Sequence, residues 1–476
     1  MTVELVRGQD VAVINPATGA VAGHVRAGGA DDVDRAVELA TAAAAWWAET
    51  TAEFRAHLLD EVSRRIADRL QDFAAVITAE MGAPVDNARD VHTQLAVDVF
   101  ASYAGIAREF PWEEPLASGM IRYEPIGVVG AITPWNYPLY LAAVKIAAAL
   151  AAGCTVVFKP SLEAPLDAVL LTDLIREVAA EMGAPVAIVN LVCGDGVVVG
   201  EAISRHPGIA AVSFTGSTAA GRRVGAAAAD TIKRVGLELG GKSAAIILDD
   251  GVDLREALTG ALTNVYFNSG QTCTACARIL LPRSRYDEAV DIAAEITRSW
   301  QIGDPRLPGA HIGPIANRAQ YESVRGFLAA AVTEGARLVV GGLPADDQVP
   351  EHLRGGNWVL PTLFADVRPG MTIERDEIFG PVALLIGYED DDDAVRIAND
   401  SIYGLSGAVW GADRNRALSI AARLKTGRVV INGAPFDVLA PTGGYKQSGN
   451  GRELGVAGLR EYLEIKSVLM PGGAAS

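Results

Sequence analysis

The sequence predicts an α/β fold built on parallel sheets with helices on both faces. The first observation is alternation. Apolar runs of strand length at residues 128–132, 155–158, 186–192 and 209–214 are interleaved with helix-length segments at 137–152 and 166–182. Strands spaced in this way pair in parallel across helical crossovers. The second observation is that the pattern starts again near Leu239, with strands at residues 243–248, 279–281, 382–386, 407–410 and 428–432. The third is size: 476 residues, half of them hydrophobic, exceed one ordinary core and predict two or three domains.

In chain order, Asn15-Pro16-Ala17-Thr18-Gly19 is turn chemistry. Asp31 and Asp32 are expected to cap a helix running through Val33, Ala36, Val37 and Ala40. Phe54, Leu58, Val62, Ile66, Leu70, Phe73 and Ile77 recur every three or four residues and predict one long helix, ended by Gly82 and Pro84. Residues 109–126 break with Pro111, Pro115 and Pro125 and then alternate through Met120-Ile121-Arg122-Tyr123. They fit a projecting arm or hairpin, and equally a long surface loop. Gly153 stops the helix at 137–152, and the strand at 155–158 ends at Lys159-Pro160. Residues 463–469 are a last strand, and a frayed tail is expected from Pro471. The acidic cluster at 389–393 reads as a solvated helix start.

Composition excludes several functions. A net charge of −17 argues against nucleic acid, whose phosphates reward clustered Lys and Arg. No apolar run reaches membrane-spanning length, and the first ten residues hold no signal-peptide core. Four cysteines in a chain of this length make no disulfide scaffold, so a reducing cytoplasm is expected. Cys273 and Cys276 form a C-x-x-C with no second ligand pair, and no metal site is expected.

Ligands of open α/β sheets bind beyond the carboxyl ends of the strands. Those ends carry Pro134-Trp135-Asn136, Lys159 and Thr215-Gly216-Ser217. The Gly216-Ser217 turn opens a helix, whose free N–H groups suit a phosphate; an ordinary strand–helix turn would look the same. Glu238 lies in an apolar, glycine-flanked run, which raises a carboxyl pKa and suits a general base. The competing assignment is an exposed glutamate on an edge strand. Asn136 sits in a rigid turn between Trp135 and Pro138, where its amide can donate to an oxyanion; a plain turn asparagine is the more common case. Cys273 follows the run Asn268-Ser269-Gly270-Gln271-Thr272. Its thiolate would be a nucleophile, and otherwise it is a small buried hydrophobe.

Seven motifs in order resemble the aldehyde dehydrogenase superfamily of the NAD(P)-dependent, hydrolytic, non-CoA-acylating type. They are PWNYP at 134–138, KPS at 159–161, FTGS at 214–217, ELGGK at 238–242, GQTC at 270–273, EIFGPV at 377–382 and GGYKQSG at 443–449. The resemblance implies an aldehyde dehydrogenase-like fold of two doubly wound parallel-sheet domains with a small β oligomerisation arm. Residues 1–107 and 127–238 would bind the cofactor, 239–440 would form the catalytic domain, and 108–126 with 455–476 the arm. The arm implies a homodimer or homotetramer.

Position by position, the resemblance makes Cys273 the nucleophile and Glu238 the base for deacylation. Asn136 and the Cys273 N–H become the oxyanion hole, and Lys145 with Glu453 a proton relay. Lys159 would reach the adenosine ribose, Trp135 and Ser217 the pyrophosphate, Glu377 the nicotinamide ribose, and Phe379 the nicotinamide end. Ile132, Thr133, Ser161, Leu162, Gly216, Leu239 and Gly240 complete the cofactor contacts. The implied cofactor is NAD, with NADP as the alternative, because Leu162 stands where the family often has a glutamate that repels a 2′-phosphate. Tyr137, Leu141, Val144, Thr272, Thr274, Phe436 and Thr442 would line the substrate tunnel. That lining, with no arginine placed to grip a carboxylate, implies an uncharged aliphatic or aromatic aldehyde. A semialdehyde dehydrogenase, or a cysteine-dependent acyl transferase or esterase on the same scaffold, is the alternative. Cys276, three residues on, is within one helical turn of Cys273 if that segment is helical, which would allow a reversible disulfide.

Overall fold

The computed structural model of the protein describes residues 8–309, 311–344 and 348–471. The first seven residues and residues 472–476 of the expected arm and tail lie outside the described residues. Strands β1 (Gln9–Ile14) and β2 (Val21–Ala27) form an antiparallel hairpin around the turn at 15–19. There Asn15 accepts from the Ala17 N–H through its side chain and from the Gly19 N–H through its carbonyl.

The helix Ala30–Ala48 is capped by Gly29 rather than by an aspartate. Asp31 and Asp32 occupy its first turn, where Asp32 accepts a hydrogen bond from the Gly29 N–H at 2.9 Å. The long helix expected over 54–77 is two helices, Ala52–Asp68 and Leu70–Met81. Arg69 leaves the helical region between them at φ −118° and ψ 25°. The apolar stripe keeps its phase across the break because both helices bury the same side.

Residues 109–126 are a hairpin, β3 (Glu113–Leu116) and β4 (Gly119–Pro125). The parallel sheet that follows uses β5 (Val128–Ile132), β6 (Thr155–Lys159), β7 (Val189–Leu191), β8 (Ala211–Thr215) and β9 (Arg234–Glu238). The order across the sheet is β7-β6-β5-β8-β9. The strand expected at 186–192 begins as a short 3₁₀ turn, Val186–Ile188, so only Val189–Leu191 pairs. The helix Pro138–Ala152 is buried on nearly every side, which is why its sequence shows no polar face.

The second sheet is built from β10 (Ala244–Ile247), β11 (Arg278–Pro282), β12 (Arg337–Gly342), β13 (Leu360–Ala365), β14 (Val382–Tyr388), β15 (Ser406–Trp410) and β16 (Arg428–Ile431). Its order is β12-β13-β14-β11-β10-β15-β16, parallel except for β12. Strands β12 and β13 were not anticipated: β12 is a half-exposed edge strand, and β13 is a short buried run that begins next to Pro361. Finally β17 (Leu463–Leu469) pairs antiparallel with β4, making a small sheet β17-β4-β3. The fold is α/β with two largely parallel sheets, this separate three-stranded sheet and the β1-β2 hairpin. Among the described residues no helix is long and apolar enough to cross a membrane.

Candidate active site

The chain leaves β5 toward β6 and β7, then returns to the other side of β5 as β8. The crevice at the carboxyl ends of β5 and β8 is therefore the switch point, where such sheets receive a ligand. Thr133 follows β5 and is held there by its N–H to the Lys159 carbonyl at 3.0 Å. Lys159 ends β6. Burial pushes its amine down to about 8, and Nζ donates to the Pro160 carbonyl at 3.0 Å. Ser217 caps the helix Thr218–Ala229, accepting from the Ala220 N–H at 3.2 Å. Gly216 immediately precedes it, so the helix N-terminus opens into the crevice. Ser161 is half-buried and accepts from the Glu163 N–H. Leu162 packs beside Val13, Val25 and Cys193, and brings no charge to this end of the crevice. The side chains of Ile132 and Leu239 lie in one apolar cluster, which leaves their backbone for any polar contact.

Across the crevice, the rings of Trp135 and Phe379 meet edge to face at 5.5 Å between centroids. Glu377 accepts from the Gly241 N–H at 2.9 Å, and burial lifts its carboxyl to about 7. A Cβ on Gly240 would fall 2.2 Å from that carboxylate, so only glycine lets Glu377 approach. A helix N-terminus, a buried lysine, an aromatic pair and a buried carboxylate together are compatible with a dinucleotide laid along the crevice.

The Cys273 loop follows the helix Leu254–Tyr266. Asn268, Ser269 and Gly270 are all left-handed, with φ of 54°, 57° and 71°. Non-glycine residues adopt this region at a cost, and only where surrounding contacts over-determine it. Here they do. Asn268 Nδ2 donates to the Asn136 carbonyl at 2.9 Å, and Asn136 Nδ2 donates to the Gln271 carbonyl at 3.0 Å. Gln271 Oε1 accepts from the Ala316 N–H, Ser269 Oγ donates to the Gly313 carbonyl, and the Asn268 side chain meets His92 Nε2 at 3.3 Å. The crossed amides of Asn136 and Asn268 thus fasten the Cys273 loop to the turn after β5.

Cys273 is half-buried in this loop. Burial pushes its thiol up to about 12, Glu377 and Glu238 add to that, and the Arg428 charge pulls it back. Glu238 ends β9 with its side chain buried, and Oε1 has no hydrogen-bond partner. Burial and the nearby Glu453 raise its carboxyl well above the usual range, while Lys145 opposes them. Lys145, from the buried helix Pro138–Ala152, pairs with Glu453 and donates to Ser213 Oγ at 3.0 Å.

One cavity of about 1110 Å³ is lined by Asn136, Glu238, Cys273 and Glu453 together with Tyr137, Leu141, Thr272, Thr274, Phe436 and Thr442. Tyr137 Oη and Thr272 Oγ1 are 2.9 Å apart, and the Tyr137 ring stacks on His92. Val144 is not on this wall; it is buried in the core of the five-stranded sheet, and Tyr140 takes the place instead. Tyr140 is three residues from Tyr137, and helical spacing alone could have found it. The expectation of an uncharged lining, with no arginine placed to grip a carboxylate, is corrected in part: Arg255 and Arg428 both line the cavity. Arg255 is paired with Glu295 at 2.7 Å, whereas the Arg428 guanidinium lies 5.4 Å from the Phe436 ring centre. Arg428 comes from β16, far along the chain, and its strand pattern says nothing about which cavity it reaches. The helical condition for a Cys273–Cys276 disulfide also fails, because residues 271–277 form turn and irregular backbone.

A cysteine, an amide donor and a raised carboxyl in one cavity, beside the crevice at the switch point, are groups that could run acyl chemistry on a carbonyl carbon. The model of the aldehyde dehydrogenase family matches residues 5–468. The chain belongs to the aldehyde dehydrogenase family. It is 46% identical over 462 residues to the 3-succinoylsemialdehyde-pyridine dehydrogenase of a Pseudomonas species, covering 97% of this chain and 95% of that one. A mutant of aldehyde dehydrogenase C from Pseudomonas syringae, complexed with NAD+ and octanal, superposes with a TM-score of 0.94 at 43% identity, covering 98% of this chain and 94% of that one. The Mycobacterium tuberculosis aldehyde dehydrogenase complexed with NAD+ gives a TM-score of 0.94 at 42% identity, covering 98% and 96%.

Proposed function

We propose that this aldehyde dehydrogenase uses NAD+ to oxidise an uncharged aliphatic or aromatic aldehyde to its carboxylic acid, with Cys273 as nucleophile. The convergence of Cys273, Asn136 and Glu238 on one cavity carries the reading. Burial holds the Cys273 thiol up and the Arg428 charge pulls it back; its proton leaves to water in the cavity as sulfur attacks, and Glu238 is kept as the base for the deacylating water. Cys273 Sγ adds to the aldehyde carbon and gives a thiohemiacetal. Asn136 Nδ2 and the Cys273 N–H donate to its oxyanion. The bound nicotinamide supplies the hydride acceptor, and Cys273 is left as a thioester. Glu238 then takes a proton from the attacking water, and the acid departs. Lys145 and Glu453 pass the proton onward from Glu238.

The crevice supports NAD, held by Lys159, Ser217, Trp135 and Glu377, with Ile132, Thr133, Ser161, Leu162, Gly216, Leu239, Gly240 and Phe379 around it. Leu162 supports tolerance of NADP, since it cannot repel a 2′-phosphate. A base aimed at water favours hydrolysis over acyl transfer. Octanal and the pyridine semialdehyde of the two relatives are both consistent with a neutral substrate. The cofactor-binding unit spans 1–107 and 127–238, the catalytic unit 239–440, and the arm 108–126 and 455–476. The β17-β4-β3 sheet exposes Ile465 (67%) and Leu469 (69%), which supports a homodimer or homotetramer built through it. Four unpaired cysteines support the cytoplasm. Kinetics of a varied aldehyde panel with NAD and NADP in parallel test this reading. Oxidation by the wild type and none by Cys273→Ala is the expected result, and full turnover by that variant would refute it.

A further inference from the structure

Arg428 opens β16, the edge strand of the seven-stranded sheet, and lines the same cavity as Cys273. Its Nε is buried without a hydrogen-bond partner. Among the described residues its side chain makes no ion pair, and its guanidinium lies over the ring of Phe436. The other arginine of the cavity, Arg255, has a carboxylate of its own. A buried N–H with no acceptor costs stability, and such a group in a folded protein calls for an explanation. Guanidinium packed on an aromatic ring engages through its face, and its in-plane N–H donors stay free.

A wall of contacts joins Arg428 to the nucleophile loop. Thr272, beside Cys273, meets Tyr137; Tyr137 meets Tyr140 at 6.4 Å between centroids; Tyr140 meets Phe436 at 6.2 Å; and Phe436 meets Arg428. The guanidinium therefore shares this wall with the nucleophile loop, and its charge is felt at both Cys273 and Cys276. The lining of the cavity includes five acids against two arginines, with Glu238 and Glu453 near the nucleophile. A second carboxylate brought in by the substrate would meet that negative field. A neutral carbonyl would not.

We propose that Arg428 donates a hydrogen bond to a neutral carbonyl oxygen distal to the reacting aldehyde, and so selects keto aldehydes over plain alkanals of the same length. This rests on the assignment of Cys273 as nucleophile of the same cavity. The test measures kcat/KM with NAD+ for hexanal, 4-oxohexanal and 5-oxopentanoate. In the wild type the keto aldehyde is expected to exceed hexanal by about tenfold or more, the size of one charge-assisted hydrogen bond. Arg428→Met should bring that ratio down to about one, with Arg428→Lys between the two. A wild-type ratio at or below one overturns the proposal, as does an unchanged ratio in Arg428→Met. Preference for 5-oxopentanoate over 4-oxohexanal overturns the neutral-acceptor assignment. The wild-type ratio needs no variant to fold. Hexanal activity of Cys273→Ala in the same assay tests the nucleophile separately from Arg428.

Discussion

Replacing Glu238 by glutamine separates the two halves of the proposed reaction. The side chain keeps its shape and loses its charge. Acylation of Cys273 and the first hydride transfer should survive in large part, while hydrolysis of the thioester loses its base. A positioned general base contributes about 10²–10⁴ in rate, so at about 1.36 kcal/mol per decade the deacylation barrier rises by about 3–5 kcal/mol. Stopped-flow absorbance should show a burst of reduced nicotinamide close to one per subunit, followed by a steady rate slower by that factor. The structure also fixes two controls. Burial holds the Glu238 carboxyl well above its ordinary range, so it is less ionised at lower pH and wild-type deacylation should rise with pH as its proton leaves. The variant should lose that rise. A raised carboxyl pKa in the folded state also means that ionisation works against folding above the unfolded-state pKa. Glu238→Gln should therefore melt at the same temperature as the wild type or higher at pH 8, which excludes unfolding as the cause of lost turnover. A trace with no burst and an unchanged steady rate would refute the base assignment.

Asn136→Ala removes an oxyanion donor and a tie to the Gln271 carbonyl, and is expected to lower the first-turnover rate by about 10²–10³. A first-turnover rate equal to the wild type would contradict the donor role. Leu162→Glu places a carboxylate at the 2′ end of the crevice and should lower the NADP-to-NAD ratio of kcat/KM by about tenfold or more, through like-charge repulsion; an unchanged ratio would show that the 2′ position lies elsewhere. Glu80 and Asp167 form a fully buried pair in which Glu80 accepts from the Leu166 and Asp167 N–H groups and the two carboxyls face each other. Burial lifts Glu80 to about 7 and Asp167 well above its ordinary range. Folding then takes up a proton, so this pair makes stability fall as pH rises from about 4 toward 7. Asp167→Asn should flatten the melting temperature across that window, and an unaltered slope would contradict it. Light scattering should give a dimer or tetramer, and a monomer would remove the role given to the β17-β4-β3 sheet.

Much of this architecture was legible in the sequence, for physical reasons that also explain the gaps. Buried parallel strands such as β5, β6 and β14 are continuous apolar runs, and they stand out from the helices between them. The half-exposed edge strand β12 carries no such contrast. The stripe from Phe54 to Ile77 correctly marked a buried face but hid the break at Arg69, because periodicity reports a face and not an axis. Cys273, Asn136 and Glu238 were readable from motif resemblance, and the structure places all three on one cavity. The parts that hold them in place were not readable: His92 against Asn268, and the left-handed backbone of Asn268 and Ser269, depend on contacts between distant segments. Val144 was misplaced, and Arg428 and Tyr140 were missed, because cavity lining depends on which way a side chain turns.

The central claim is that Cys273 carries the acyl group. Glu238→Gln saturated with NAD+ should be mixed with an aldehyde for a few turnovers, quenched in acid, and digested with trypsin for mass spectrometry. The peptide ending at Arg278 holds both Cys273 and Cys276. The account predicts an acyl adduct on Cys273, in step with the burst of reduced nicotinamide, and no adduct in Cys273→Ala. An adduct on Cys276, or a full burst with no adduct on either cysteine, would contradict it.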